Sequence, residues 1–337
     1  MPELKIAVIG AGVIGFTTAL ELKNAFRNAN IEILADKFNT ETTSSAAAGV
    51  FRPGTSFCGP TEEITRKWIE DSYYYWEHLC NTSEGAKAGV KQLSGYIFSS
   101  QYPHIVKNRY IEKLVPVYRA ATSEELQLCP GNWKYGSFFI TLLTECDLYL
   151  PWAIEKFINA GGKITGAKVE SLETLGLNYD VVVNCTGLGA RYLCNDHKVV
   201  PIRGQVYKVR APWIKTFFYG DYDTYILPGF TNVTLGGCRQ YESYNLDMDE
   251  YDARSIWHRC TSLVPSLAGA EIVAQRVGLR PHRSEVRLEN EVKNINGRVV
   301  RIVHNYGHGG YGVTTAPGTS LHACKLVREA WSSNSKL

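Results

Sequence analysis

The residues best spaced for chemistry stand in the first forty positions. A short apolar run, Lys5–Ile9, leads directly into Gly10-Ala11-Gly12-Val13-Ile14-Gly15. An amphipathic run at 16–23 follows, and a second apolar run at 31–34 delivers Asp36, twenty-one positions after Gly15. Each part has a task in holding a dinucleotide. Gly10 lets the chain turn sharply off a strand, Gly12 lets the backbone approach a pyrophosphate, and Gly15 lets a helix pack closely on the sheet. The open N–H groups and positive dipole end of that helix attract phosphate. Asp36 is placed to accept hydrogen bonds from ribose hydroxyls. The glycines alone also fit an ordinary tight strand-to-helix turn, but such a turn has no use for the acid.

The elements that must position this site run through the rest of the chain. Residues 37–49 are rich in Thr, Ser and Ala, which suits a segment lying along a cofactor and equally suits a plain loop. A helix is predicted over 61–80, with Ile64, Trp68, Ser72, Tyr75, Trp76 and Leu79 on one stripe that reads as core. Short alternating strands are expected at 95–98 and 137–143. A second helix is expected at 151–160, with proline at its start and Gly161-Gly162 at its stop. Strands are expected at 163–170 and 180–184. Val181-Val182-Val183 reads as buried on both faces and ends in Asn184-Cys185-Thr186-Gly187, a polar turn suited to the crevice of an open α/β sheet.

From Arg203 the pattern turns to antiparallel strands, at 205–210, 224–227 and 232–235, with Pro228-Gly229 as a turn. A helix at 249–263 follows, then a strand at 271–279 that leads to Arg280-Pro281. A buried strand at 299–303 runs into four glycines within six residues, Gly307, Gly309, Gly310 and Gly312, which let backbone approach a flat ligand. A last helix is expected at 318–330. The organisation is a nucleotide-binding unit opened twice by antiparallel insertions.

Composition narrows the partners. A chain of 337 residues buries a large core and suits two structural units. A net charge of +3 with no basic run argues against nucleic acid. Nothing approaches the ~18 uninterrupted apolar residues of a membrane span, and no secretory signal precedes the first strand. The nine cysteines lack metal-ligand spacing and read as reduced, mostly buried thiols. No metal is expected. Ser335-Lys336-Leu337 has the form of a peroxisomal address read by an import receptor, so a location in the peroxisome matrix is expected.

Over essentially its whole length the sequence resembles the D-amino-acid oxidase and D-aspartate oxidase flavoproteins. The matching segments are Val8-Ile9-Gly10-Ala11-Gly12-Val13-Ile14-Gly15, Ala35-Asp36-Lys37-Phe38, Ala47-Ala48-Gly49, Val183-Asn184-Cys185-Thr186-Gly187 and Arg203-Gly204-Gln205-Val206. Further along come Val233-Thr234-Leu235-Gly236-Gly237, Gly278-Leu279-Arg280-Pro281 and His304-Asn305-Tyr306-Gly307-His308-Gly309-Gly310. The resemblance implies an α/β chain in which a Rossmann-like FAD-binding domain (1–56, 145–195 and 280–337) is interrupted by a substrate domain (57–144 and 196–279) with a large, mostly antiparallel sheet. It implies FAD contacts at Gly10, Gly12, Val13, Ile14, Gly15, Asp36 and Lys37. Further FAD contacts are implied at Thr42, Thr43, Ser44, Gly49, Val50, Val169, Thr186 and Gly187, and from the last strand onward at Gly309, Gly310, Tyr311, Gly312 and Thr314.

The activity implied is oxidation of a D-amino acid by hydride transfer from its α-carbon to flavin N5, with oxygen as acceptor, giving 2-oxo acid, ammonia and hydrogen peroxide. FAD carries that chemistry, which accounts for a sequence without a Ser/His/Asp set, metal cluster or carboxylate pair. By the same resemblance Arg280 clamps the substrate α-carboxylate, Tyr225 donates to it, and the Gly310 carbonyl receives the amine. Taken without the resemblance, Arg280 reads as a surface ion-pair residue and Tyr225 as core.

Arg239 and Arg52 are two candidates for a side-chain carboxylate, and each also fits a solvated rim. Arg239 matches the aspartate-oxidase branch. The lid at 216–223 is one residue shorter than in that branch and carries Tyr219 and Tyr222 where it has a further arginine, which is closer to the neutral-substrate branch. Residues 314–318 depart from the family's tryptophan-containing segment. Acidic D-amino acids, D-aspartate first, are the expected substrates. The alternatives are neutral or basic D-amino acids, a catalytically silent flavin-binding protein and, more remotely, an NAD-dependent dehydrogenase. The resemblance is compatible with a homodimer.

Overall fold

A computed structural model gives the structure of residues 4–54 and 56–332. Ser335, Lys336 and Leu337, the expected peroxisomal address, lie outside the described residues. The chain opens with β1 (Lys5–Ile9), α1 (Val13–Ala25) and β2 (Asn30–Ala35), as the spacing predicts. The two strands pair in parallel, and after each first residue every side chain on them is buried, which is why they read as unbroken apolar runs. α2 (Glu62–Cys80) is capped by the Thr61 hydroxyl, which accepts the Ile64 N–H. There follow β3 (Val90–Ser99), β4 (Val117–Ala120), β5 (Tyr135–Thr144), α3 (Cys146–Asn159), β6 (Lys163–Gly166), α4 (Leu172–Gly176), β7 (Val181–Asn184) and α5 (Ala190–Leu193). The second half comprises β8 (Val200–Arg210), β9 (Phe217–Tyr219), β10 (Tyr225–Pro228), β11 (Val233–Gly236), β12 (Gln240–Tyr241), α6 (Glu250–Leu263), β13 (Glu271–Ile295), β14 (Arg298–His308) and α7 (Gly312–Ser332).

Among the described residues all strands join one 14-stranded sheet, in the order β4-β5-β3-β9-β10-β11-β8-β13-β14-β7-β1-β2-β6, with β12 added on β8. The β14-β7-β1-β2-β6 end is parallel and the rest is antiparallel apart from β3 with β9. The insertions therefore share a sheet with the nucleotide-binding unit. The cause is β13, whose 25 residues extend about 80 Å at ~3.3 Å each. It pairs with β8 over 271–282 and with β14 mainly over 287–295, across a register shift between His282 and Arg287. It runs through position 280, and α2 lies against α7, although the sequence divides these segments between two units.

Four expected boundaries move, each for a local reason. α3 starts at Cys146, so Pro151 lies inside it and withholds only the bond to the Asp147 carbonyl. β6 stops at Gly166 and does not reach 170, because its partner β2 ends opposite it at Ala35. The stretch expected as a glycine loop continues as β14 to His308, paired with β13. Gly307 there faces Arg283 and not the ligand side.

The fourth change is α7, which begins at Gly312, six positions before 318, with Pro317 inside it. Pro317 cannot bond the Val313 carbonyl, and α2 makes good the disturbed turn. Ser72 Oγ accepts the Gly318 N–H (2.8 Å) and Trp76 Nε1 donates to the Thr314 carbonyl (3.3 Å). Trp68, Ser72 and Trp76, one stripe in the sequence, are thus the side of α2 laid on α7. A Cβ added at Gly318 would stand 2.0 Å from the Trp68 carbonyl oxygen. No helix among the described residues is long and apolar enough to cross a membrane, and all nine cysteines are unpaired, five of them buried.

The α2–α7 contact yields a test. Gly318→Ala should destabilise the protein by about 1–3 kcal/mol through overpacking, measured by denaturant unfolding. Ser332→Ala, at the far end of α7, should stay within about 0.5 kcal/mol of the parent.

Candidate active site

A cavity of about 890 Å³ runs from Asp36, past the start of α1, to Tyr225 and Arg280. Its volume lies in the range of ligand sites. The first wall is the β1–α1 turn. Gly10 has φ +104°, and the Gly15 Cα lies so close under it that an added Cβ would be 1.9 Å from the Gly10 carbonyl oxygen. Gly12, Val13 and Ile14 line the cavity, and no side chain of the N-cap residue Gly12 closes the helix start. Ser44 Oγ accepts the Val13 N–H at 3.0 Å. Asp36 and Lys37 stand beyond the end of β2, and Thr42, Thr43, Ser44, Gly49 and Val50 continue the wall. Thr186 and Gly187 enter from the end of β7, where Asn184 Oδ1 accepts both the Thr186 N–H (3.2 Å) and hydroxyl (2.8 Å). Gly309, Gly310, Tyr311, Gly312 and Thr314 enter from the end of β14 and the start of α7.

The far end is built on the antiparallel strands. Arg280 on β13 donates through Nη1 to the carbonyls of Cys238 (3.1 Å) and Arg203 (3.3 Å). Its guanidinium lies over Gly204 of β8, where an added Cβ would be 2.3 Å from Nη2. Tyr225 on β10 lies over its cross-strand partner Gly236, where a Cβ would be 2.0 Å from the ring. Burial raises the Tyr225 hydroxyl above its ordinary range, with Arg280 pulling the other way. Burial likewise pushes Tyr219 up to about 12. Both phenols are therefore protonated donors at neutral pH.

Arg52 and Arg239 border the same region, both near Tyr219. The Arg52 guanidinium carbon stands 4.7 Å from the centroid of the Tyr219 ring. Arg239 pairs with Asp223 at 3.0 Å, the two side chains 48% and 42% exposed. Asp223 belongs to the expected lid, which is a tight hairpin between β9 and β10. Tyr222 and Asp223 have φ +59° and +58°, and the Thr224 N–H donates to the Asp221 carbonyl (3.2 Å). That is the backbone of a type I′ turn, which favours Asn-Gly and strains a tyrosine. The tip is fastened by Ser100 N–H to Asp221 Oδ2 (3.1 Å), Gly237 N–H to the Asp223 carbonyl (2.8 Å) and Arg259 Nε to Thr224 Oγ1 (3.2 Å). Tyr222 points outward at the rim, 75% exposed.

Two expected contacts fall elsewhere. Val169 is not on the cavity wall; it packs against the cluster of Ala7, Ile9 and Leu34, because β6 has already ended. Gly15 lies beneath the turn and serves its packing. The sequence reading gave no task to Gly204, Gly236, Asp223 or the carbonyls that hold Arg280. Gly204 and Gly236 were visible inside quoted motifs, but nothing in sequence says which side chain lies over a glycine. Arg203 was also quoted. It is buried and donates to Gln240 Oε1 and Asp252 Oδ2 (both 2.9 Å), Gln205 Oε1 (2.8 Å) and the carbonyls of Asn245 and Asp247. This ties the 240–252 segment to β8.

Residues 5–326 match the family described as DAO, FAD dependent oxidoreductase. The chain is 39% identical over 331 residues to "D-aspartate oxidase" of Homo sapiens, covering 98% of this chain and 96% of that one. It is 34% identical over 332 residues to "D-amino acid oxidase" of Dugesia ryukyuensis, covering 97% and 98%. In fold it is similar to the crystal structure of glycine oxidase from Geobacillus kaustophilus, with a TM-score of 0.79 at 18% identity over 97% of this chain and 95% of that one.

One cavity residue gives a pH test. His308 shares a hydrogen bond with Thr319 Oγ1 (3.1 Å), and burial pushes its pKa down to about 3. Above the unfolded value of ~6.5 it is neutral in both states. Between that value and about 3 only the unfolded chain takes the proton, so stability falls as pH falls. From pH 7 to pH 5 the loss is about 2 kcal/mol. His308→Gln should therefore lose less Tm over that interval than the parent; equal losses would count against a neutral buried His308.

Proposed function

This chain belongs to the DAO family of FAD dependent oxidoreductases, and from that premise we propose that it oxidises acidic D-amino acids, D-aspartate first. The observation that carries the acidic preference is a pair of arginines, Arg52 and Arg239, beside Tyr219 in the same part of the cavity as Tyr225 and Arg280. A dicarboxylate needs one cation for its α-carboxylate and another for its side chain.

The residues present fit FAD. The start of α1, where Gly10 and Gly12 bring no side chain and Ser44 Oγ accepts the Val13 N–H, suits the pyrophosphate, Asp36 suits the ribose, and residues 42–50, Thr186-Gly187 and 309–314 suit the flavin side. Asn305 Oδ1, in the same wall, is a buried acceptor without a partner among the described residues. FAD held there would supply the redox chemistry, as acceptor of a hydride from the substrate α-carbon and donor of two electrons to oxygen.

The chain's own residues bind and orient. Arg280 offers its guanidinium fork to the α-carboxylate, held in place by the Cys238 and Arg203 carbonyls. Tyr225, kept protonated by burial, donates to the same carboxylate. The Gly310 carbonyl accepts from the amine, which fixes the face of the α-carbon that is presented. Tyr219 closes one side and excludes water. The imino acid then leaves and hydrolyses to the 2-oxo acid and ammonia.

One observation favours the neutral-substrate alternative: Asp223 already offsets Arg239. Peroxide release by FAD-loaded protein on D-aspartate, D-alanine and L-aspartate separates the readings. The expected kcat/KM is on the order of 100-fold higher on D-aspartate than on D-alanine, with none on L-aspartate. Equal or better turnover of D-alanine overturns the acidic preference.

A further inference from the structure

The two candidate arginines are not equivalent. Arg239 has its counterion, at a half-exposed mouth where such pairs contribute little. Arg52 has none. Its Nε is buried without a hydrogen-bond partner among the described residues, and no described carboxylate forms an ion pair with it. Among the described residues its guanidinium carbon stands 4.7 Å from the centroid of the Tyr219 ring. A guanidinium over an aromatic ring is held by the ring and keeps its N–H groups for a planar anion.

Arg52 is also rigidly placed. The Phe51 N–H donates to the Leu142 carbonyl (2.7 Å), and the Phe51 carbonyl accepts from the Thr141 hydroxyl (2.8 Å). The Pro53 carbonyl accepts from Asn108 Nδ2 at 2.8 Å. Backbone on both sides of Arg52 is thus fastened, on one side to β5 and on the other to the 108–112 segment. Leaving a buried donor unsatisfied is costly, and proteins keep few of them. A fixed, part-buried cation without an acidic partner among the described residues, in a cavity already supplied with Arg280, is suited to a second anionic group of the ligand.

We propose that Arg52 receives the side-chain carboxylate of the substrate and is the main determinant of acidic preference, while Arg239 belongs to the mouth with Asp223. This rests on the acidic-substrate reading above and names the residue behind it. The planar fork fits a carboxylate bidentately, and the Tyr219 ring beneath it sets the height at which that carboxylate docks.

The test uses FAD-loaded parent, Arg52→Gln, Arg52→Lys and Arg239→Gln proteins. Peroxide release gives kcat/KM on D-aspartate and D-alanine, and calorimetry compares binding of malonate, a dicarboxylate, with acetate. Arg52→Gln should lower the D-aspartate to D-alanine ratio roughly 30-fold or more, chiefly through KM, and weaken malonate relative to acetate by a similar factor. Arg52→Lys should recover part of both, and Arg239→Gln should move the ratio by about 3-fold or less. An unchanged ratio and unchanged malonate preference in Arg52→Gln overturn the proposal, as does a larger collapse in Arg239→Gln. A parent that does not prefer D-aspartate sinks the acidic reading instead. The malonate-to-acetate comparison then still decides whether Arg52 holds a second carboxylate: a loss in Arg52→Gln supports it, and no loss overturns it.

Discussion

The substrate end of the cavity depends on two side chains lying flat across glycines of the neighbouring strand. Side chains in a sheet stand roughly perpendicular to it and fill the space over their neighbours. Arg280 and Tyr225 lie down because Gly204 and Gly236 present no Cβ beneath them. Their places follow from register: Tyr225 opposes Gly236, Gly236 opposes Val206, and Gly278 opposes Gly204. A slip of one residue anywhere in β10-β11-β8-β13 would turn one of these groups to the other face. The buried Arg203 guards against this, since its bonds to the 240–252 segment hold β8 and its surroundings together. Breaking a buried pair such as Arg203–Asp252 leaves an uncompensated charge, so alternative registers are costly.

The dinucleotide end uses the same device at closer range. Gly15 lies against the Gly10 carbonyl, and Gly10 itself approaches the Cys185 carbonyl, with its missing Cβ 2.6 Å from that oxygen. β1, α1 and β7 converge there, so the open helix start and the Thr186-Gly187 turn border one cavity. β13 then fixes the distance between the two ends, because its first part pairs with the strand carrying Gly204 and its last part with β14, which leads to Gly309. A single strand spanning both parts makes the spacing a matter of backbone geometry and not of a hinge.

Much of this was legible in the sequence where the signal is local. The β1–α1–β2 unit, the helices read at 61–80 and 249–263 and the Trp68, Ser72, Trp76 stripe each depend on neighbours within a few positions. What was not legible depends on partners far along the chain. The start of α7 was missed because Pro317 argues against helix, and the compensation comes from Ser72 and Trp76, some 240 positions earlier. The unity of the sheet was hidden because only the 271–279 part of a 25-residue strand was read, and Pro281 argues against its continuation. Val169 was misplaced because the end of β6 is set by the end of β2. Arginines could be named as candidates, but their counterions could not.

That last point decides the electrostatics of the site. Tyr219 and Tyr225 are held as neutral phenols, and His308 is held as a neutral imidazole, all by burial. The fixed charges close to Tyr219 and Tyr225 are then the guanidinium groups of Arg52, Arg239 and Arg280 and one carboxylate, Asp223, which pairs with Arg239. In a medium of lowered dielectric such charges act strongly and reach well beyond contact distance. Among the described residues no acid pairs with Arg52 or Arg280, and under the acidic-substrate proposal these two cations would receive the two carboxylates of the ligand. Under that proposal a zwitterionic neutral amino acid would leave one of them unpaired. Selectivity of this kind comes from what the protein withholds as much as from what it offers. Among the described residues no acid quiets Arg52, while the one that quiets Arg239 is in place on a strained turn.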